Sequence, residues 1–188
     1  MFIQTETTPN PATLKFLPGR AVMTAGTLEI RGAEWASQSP LAQSLFALEG
    51  VSGVFFGSDF ISVTKSESDD WQELKPTILG AIMEHFLSGA PLLNADAEFT
   101  PQVADSEFFA PDDADTVATI KNLIDTHVRP AVANDGGDIQ FRGFREGTVY
   151  LAMKGSCSGC PSSTATLKRG IQNLLKHYVP DVLSVEQI

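Results

Sequence analysis

The two cysteines of this 188-residue chain, Cys157 and Cys160, fall within one stretch, Lys154-Gly155-Ser156-Cys157-Ser158-Gly159-Cys160-Pro161-Ser162-Ser163. A disulfide between them would close almost no loop and remove little entropy from the unfolded chain, so the pair reads as chemistry and not as a staple. Pro161 suits the first position of a helix, where no backbone N–H is needed. Cys160 then sits at a helix N-terminus, where unpaired N–H groups and the positive end of the dipole favour a thiolate. A thiolate is both a better nucleophile and a better metal ligand than a thiol. Gly155 and Gly159 keep the loop narrow enough for a bulky ligand to approach the backbone. Ser156, Ser158, Ser162 and Ser163 bring small hydrogen-bond donors near the sulfurs.

Two thiolates leave a metal short of ligands. Structural zinc takes four, and a [4Fe–4S] cluster is usually held by four thiolates. The three histidines, His85, His127 and His177, have no ligand spacing to the cysteines. His85 reads as a residue of a remote surface helix. His127 and His177 read as helix ends, where a cation suits the dipole. The missing ligands come most simply from a second copy of the chain, whose own pair supplies two more sulfurs across a two-fold axis. A site of that kind is exposed, shared and easily dismantled, which suits a donor of whatever it holds. Two other readings stay open. A thiol–disulfide oxidoreductase would use the same pair as a dithiol, although no Trp precedes it and the βαβ thioredoxin layout is absent. A zinc-bridged dimer would use the four sulfurs for assembly alone.

The elements that must position this loop are legible around it. Val117, Ile120, Ile124 and Val128 mark one face of a helix expected to stop before Pro130. Ile139–Phe144 and Thr148–Met153 read as strands joined at Arg145-Glu146-Gly147. Leu167, Ile171, Leu174, Leu175 and Tyr178 mark a second helix, and Leu183 and Val185 a final short strand. The order over 114–188 is α-β-β-α-β. Residues 1–90 read as a second mixed α/β domain. Strands at Phe2–Glu6 and Thr13–Leu17 flank Thr8-Pro9-Asn10-Pro11, a rigid turn. A short helix follows Ser39-Pro40, a hairpin spans Val51–Phe56 and Phe60–Thr64, and a helix carrying Trp71, Leu74, Ile78, Ile82 and Phe86 ends near Gly89. Pro76 marks either its start or a kink. No Lys or Arg occurs between Lys75 and Lys121, and acidic residues and prolines gather there, so 91–113 reads as an acidic linker. The fold class is α+β, two small mixed domains joined by that linker.

The net charge of -10 repels phosphates and anionic lipid, which excludes nucleic acid and membrane surfaces as expected partners. No apolar run approaches the roughly 20 residues of a bilayer span. The first residues carry no basic or apolar leader pattern, Glu6 precedes any basic residue, and the expected compartment is the cytoplasm. The N-terminal half holds no cysteine and no convergent acid–base set, and Asp69-Asp70 reads as a solvated helix start. No enzyme activity is expected.

Residues 114–188 resemble the C-terminal domain of NifU, the Nfu-type iron–sulfur scaffold. The resemblance is carried by Arg129-Pro130-Ala131, Asn134-Asp135-Gly136-Gly137-Asp138 and the run Gly155 to Ser163. Residues 1–90 resemble the N-terminal domain of Nfu proteins, through Thr8-Pro9-Asn10-Pro11-Ala12-Thr13-Leu14-Lys15-Phe16. The resemblance implies a [4Fe–4S] cluster bridged by two protomers, with Cys157 and Cys160 as its ligands. It further implies an upstream cluster donor and apo iron–sulfur client proteins as partners. Gly136-Gly137 reads as a turn requiring positive φ before a strand. The cysteine-rich assembly domain and ferredoxin-like centre of full NifU are missing, which favours carriage over assembly.

Overall fold

Residues 2–94, 107–158 and 161–188 are described in this computed structural model, at 161–163 by their backbone alone. Two compact units emerge, Met1–Phe99 and Thr100–Ile188, and both are mixed α/β.

In the first unit the hydroxyl and amide side chains of Thr8 and Asn10 close the turn on itself. The Asn10 amide donates to Thr8 Oγ1 at 3.2 Å, and the Ala12 amide to Asn10 Oδ1 at 3.0 Å. Trp71 Nε1 donates to the Pro11 carbonyl at 3.0 Å. This rigid turn joins β1 (Gln4–Thr7) to β2 (Thr13–Leu17). After β3 (Leu28–Ile30), the hydroxyl of Ser39 caps α1 (Pro40–Phe46), and β4 (Val51–Phe56) and β5 (Ile61–Lys65) form the expected hairpin. The sheet order is β1-β2-β5-β4-β3, antiparallel at every pairing. Helix α2 (Trp71–Ser88) starts at an Asp70 cap and ends at Gly89, whose φ of 69° needs a glycine. Pro76 therefore lies inside the helix and does not begin it. Phe16, Phe56 and Ile61 of the sheet are sealed against Leu41, Leu45, Ile78 and Ile82 of the helices. Each such side chain contributes about 1.5–3 kcal/mol.

The short strand β3 and the 3-10 turn Ala33–Gln38 after it were not expected. Three residues between Gly26 and Gly32 carry too little alternation to register as a strand. His85 also departs from the expectation of a surface position. It is 7% exposed on the inner side of α2.

In the second unit a 3-10 turn, Pro111–Asp113, leads into α3 (Ala114–Leu123), a π turn (Ile124–Val128) and α4 (Arg129–Asn134). Val117, Ile120, Ile124 and Val128 are all buried, as their spacing predicts. The helix does not stop before Pro130. A proline ring clashes with the carbonyl four residues back, and here the ladder widens instead. The Arg129 amide donates to the Ile124 carbonyl, five residues back, and Pro130 enters at the second position of α4. Strands β6 (Gly137–Arg145) and β7 (Thr148–Gly155) pair antiparallel across Glu146 and Gly147, whose φ values of 49° and 77° form a tight two-residue turn. Helix α5 (Pro161–Tyr178) crosses back to β8 (Ser184–Gln187), which lies parallel to β7, giving the order β6-β7-β8. Tyr178, read as part of the second helix, is its last residue and 55% exposed, whereas Leu183, read as part of the final strand, lies just before β8 and is 63% exposed.

Of the stretch read as a linker, residues 95–106 lie outside the described residues. Asn94 is tied to the first unit through Gln38 and Ser37, and Phe108 is hydrogen-bonded to β6 of the second. Among the described residues no helix is long and apolar enough to cross a membrane.

Burial lowers the pKa of His85, because the imidazolium is poorly solvated inside the first unit. The unfolded chain takes up that proton near its ordinary value of about 6.5 and the folded chain resists it. The stability contribution is complete above that pH and is lost as the pH falls below it. Both tryptophans, Trp35 and Trp71, lie in this unit, so urea unfolding followed by tryptophan fluorescence reads it selectively. The midpoint is expected to fall between pH 7.5 and 5.5, and by less in His85→Leu.

Candidate functional site

Strand β7 ends at Gly155, whose φ of 69° turns the chain sharply into the 3-10 turn Ser156–Ser158. Cys157 is carried by that turn, immediately ahead of α5. The helix begins at Pro161, as the sequence predicts. Cys160 and Gly159 lie outside the described residues, so the structure places one member of the cysteine pair.

The loop is stitched to the turn before β6. The Ser156 amide donates to the Gly136 carbonyl at 3.3 Å, and its hydroxyl donates to the Asp135 carbonyl. The Ser158 hydroxyl donates to the Gly155 carbonyl at 2.8 Å, and Thr164 Oγ1, in the first turns of α5, to the Cys157 carbonyl at 3.0 Å. Cys157 itself is 6% exposed and belongs to the second unit's apolar core.

Gly136 and Gly137 serve different ends. Gly136 has a φ of 81°, the positive value its turn requires. Gly137 is small because of what touches it. A Cβ there would lie 2.5 Å from the Lys154 carbonyl oxygen and 3.1 Å from Cys157 Sγ. Backbone thus forms the wall behind the sulfur. The next residue, Asp138, is 4% exposed and meets Arg129 in a two-pronged ion pair, Nε to Oδ1 at 2.9 Å and Nη2 to Oδ2 at 3.1 Å. Arg129 also reaches Asp125 of the π turn at 3.3 Å. The hydrogen bond to Asp138 raises the guanidinium pKa further. Sequence reasoning gave neither Arg129 nor Asp138 a role of its own. The available signal was an arginine against a proline, nine positions from an aspartate that opens an apolar strand.

Burial pushes the Cys157 thiol above its ordinary pKa. The Ser156 hydroxyl pulls the other way, and the negative charges of Asp135 and Asp138 push up again. The described sulfur is therefore sheltered, in surroundings that favour its thiol form. His127 and His177 pack around Tyr178, with ring centroids 6.4 and 4.9 Å from it, and His85 belongs to the other unit. Among the described residues no group of three or more His, Cys, Asp or Glu side chains is placed to hold a metal.

Two outcomes follow. In Cys160→Ser, iodoacetamide should label Cys157 at pH 7.5 more than tenfold slower in the folded chain than in urea, with the folded rate still rising above pH 9. Gly137→Ala should destabilise the second unit by about 1–3 kcal/mol through overpacking against Lys154 and Cys157, read by urea unfolding followed by circular dichroism.

Residues 3–89 match the family described as the scaffold protein Nfu/NifU N terminal, and residues 120–186 match the NifU-like domain. The chain is 53% identical to the mitochondrial NFU1 iron–sulfur cluster scaffold homolog of Drosophila sechellia, over its whole length and 65% of the relative's. It is 51% identical to the mitochondrial NifU-like protein 4 of Arabidopsis thaliana, again over its whole length and over 66% of that protein. The corresponding figure for the mitochondrial NFU1 homolog of Homo sapiens is 49%, with 72% of that protein covered. These relatives overturn the cytoplasmic location expected above, since each is described as mitochondrial. That expectation rested on the residue pattern at the start of the given sequence, and such a pattern does not fix a compartment. With both units matched and whole-length identity near one half, the chain belongs to the Nfu/NifU family of iron–sulfur cluster scaffold proteins.

Proposed function

We propose that this chain is a non-enzymatic carrier of a [4Fe–4S] cluster, held between two copies of itself by Cys157 and Cys160 of each. It accepts the cluster from an upstream donor and passes it to apo iron–sulfur proteins. Residues 114–188 hold the cargo, residues 1–90 serve client recognition, and 91–113 joins them. The observation that carries this reading is the glycine wall. Gly137 lets the strand pack closely on Cys157, since a Cβ there would lie 3.1 Å from Sγ, and this fixes the position of a sulfur that is 6% exposed before any ligand is bound.

The chain's own residues divide the work. Ser156 and Thr164 fix the backbone on either side of Cys157. Arg129 and Asp138 fix the strand whose first residue is Gly137. Burial favours the protonated form of Cys157, so its ligation to a cluster would release a proton to solvent. In transfer, a client thiolate replaces Cys157 and then Cys160 as ligand, and each departing sulfur is reprotonated. A dithiol oxidoreductase needs an attacking cysteine of lowered pKa, and burial moves Cys157, the described member of the pair, the other way.

Anaerobic reconstitution with iron and sulfide, followed by size-exclusion chromatography with absorbance and Mössbauer spectra, tests the proposal. One cubane cluster should elute with two chains, and Cys157→Ala with Cys160→Ala should stay colourless. A wild-type chain that takes up no cluster sinks the carrier reading. Insulin reduction would then point to the dithiol enzyme, and tightly held zinc to a structural dimer.

A further inference from the structure

Strand β6 is an outer strand of its sheet, and outer strands expose a row of backbone donors and acceptors. In this chain part of that edge is covered by a short segment from before α3. The Phe108 amide donates to the Arg142 carbonyl at 3.1 Å, and the Phe144 amide donates to the Phe108 carbonyl at 2.9 Å, a parallel bridge centred on Gly143. The side chain is received as specifically as the backbone. The Phe108 ring lies over Gly143, where a Cβ would come within 2.4 Å of it. It packs on Tyr150 with centroids 5.1 Å apart, and the Arg145 guanidinium stands 5.3 Å from its centre. One residue earlier, Glu107 meets Lys121 of α3 with both oxygens, at 2.7 and 2.9 Å. Glu107 and Lys121 sit at the edge of a cleft of about 320 Å³ that continues past Gln140 and Arg142 to Asp125 and Arg129. That cleft is lined by three cations, Lys121, Arg129 and Arg142, against two carboxylates, Glu107 and Asp125, in a chain of net charge -10, so displacing Glu107 leaves it net positive.

We infer that the outer edge of β6, with its aromatic socket at Gly143 and its cation at Lys121, is a docking site for an extended partner segment bearing an acidic residue followed by an aromatic one, and that Glu107-Phe108 occupies it in cis. The seated segment defines what fits. Main-chain pairing to a sheet edge supplies affinity, and the pockets for the acid and the ring supply selectivity. The lining charge favours an acidic ligand over a basic one. The site is separate from the cysteine loop. Gly143 lies along β6 from Gly137, at about 3.3 Å per residue roughly 20 Å away. The cleft runs back toward Arg129, so a longer bound segment extends in the direction of the loop. The inference does not depend on whether a cluster is carried, because every contact belongs to the cluster-free chain.

The test uses the full chain and a fluorescein-labelled peptide, Glu-Phe-Phe-Ala-Pro-Asp, which repeats Glu107–Asp112. Fluorescence anisotropy should show binding to Glu107→Ala with Phe108→Ala, and at least tenfold weaker binding to the wild type, whose tethered segment competes at high effective concentration. A peptide with both phenylalanines replaced by alanine should not bind. A double variant that melts like the wild type yet binds no peptide overturns the inference, as does equal binding by both chains. If the double variant does not fold, amide hydrogen exchange of the wild type decides. Exchange at Phe144 through a local opening, well ahead of Val149, supports a displaceable segment. Exchange at Phe144 only on global unfolding makes the segment an integral part of the fold and removes the proposal.

Discussion

Asp138 keeps its carboxylate where water hardly reaches, and Arg129 is what makes that tolerable. A buried charge stripped of its partner costs several kcal/mol, far more than an exposed pair is worth. The guanidinium meets the carboxylate with two parallel hydrogen bonds, a geometry that fixes direction as well as distance. The pair ties the start of α4 to the start of β6. That fixes Gly137, Gly137 backs Cys157, and the hydrogen bonds of Ser156 to Asp135 and Gly136 close the circuit. The cysteine loop is held from behind by a strand and helix whose relative position is set by one ion pair.

The same arrangement accounts for the electrostatics at the sulfur. A thiol walled by backbone, with two carboxylates in the neighbourhood, stays protonated more readily than one in water. Protonation shelters an unloaded thiol from oxidants, because the thiolate is the reactive form.

Much of this was legible in the sequence, and the failures have physical causes. The hairpin at Glu146-Gly147, the capped helix ending at Gly89 and the buried face from Val117 to Val128 follow from local rules of spacing and turn chemistry. The loop before a helix that begins at Pro161 was readable for the same reason. Pro130 misled because a proline's clash has two remedies, ending the helix or widening the turn before it, and the choice is tertiary. His85 was misplaced because helical periodicity locates a face but does not say how far a side chain is covered. The pairing of Arg129 with Asp138 joins residues on different elements, and no local pattern announces it. Phe108 was absorbed into a linker by composition, because acidity and proline content describe a stretch and overlook a single anchoring ring.

The π turn at Ile124–Val128 has a geometric corollary. Successive residues of an α-helix advance by about 100° around its axis, and a π turn accommodates one residue more than the ladder otherwise would. Everything downstream is rotated by that increment relative to an uninterrupted helix. The turn acts as a phase shifter, resetting the azimuth of Arg129 without altering the apolar stripe from Val117 to Ile124. A single inserted residue can in this way re-aim a charged side chain around a helix while the packing laid down before it is retained.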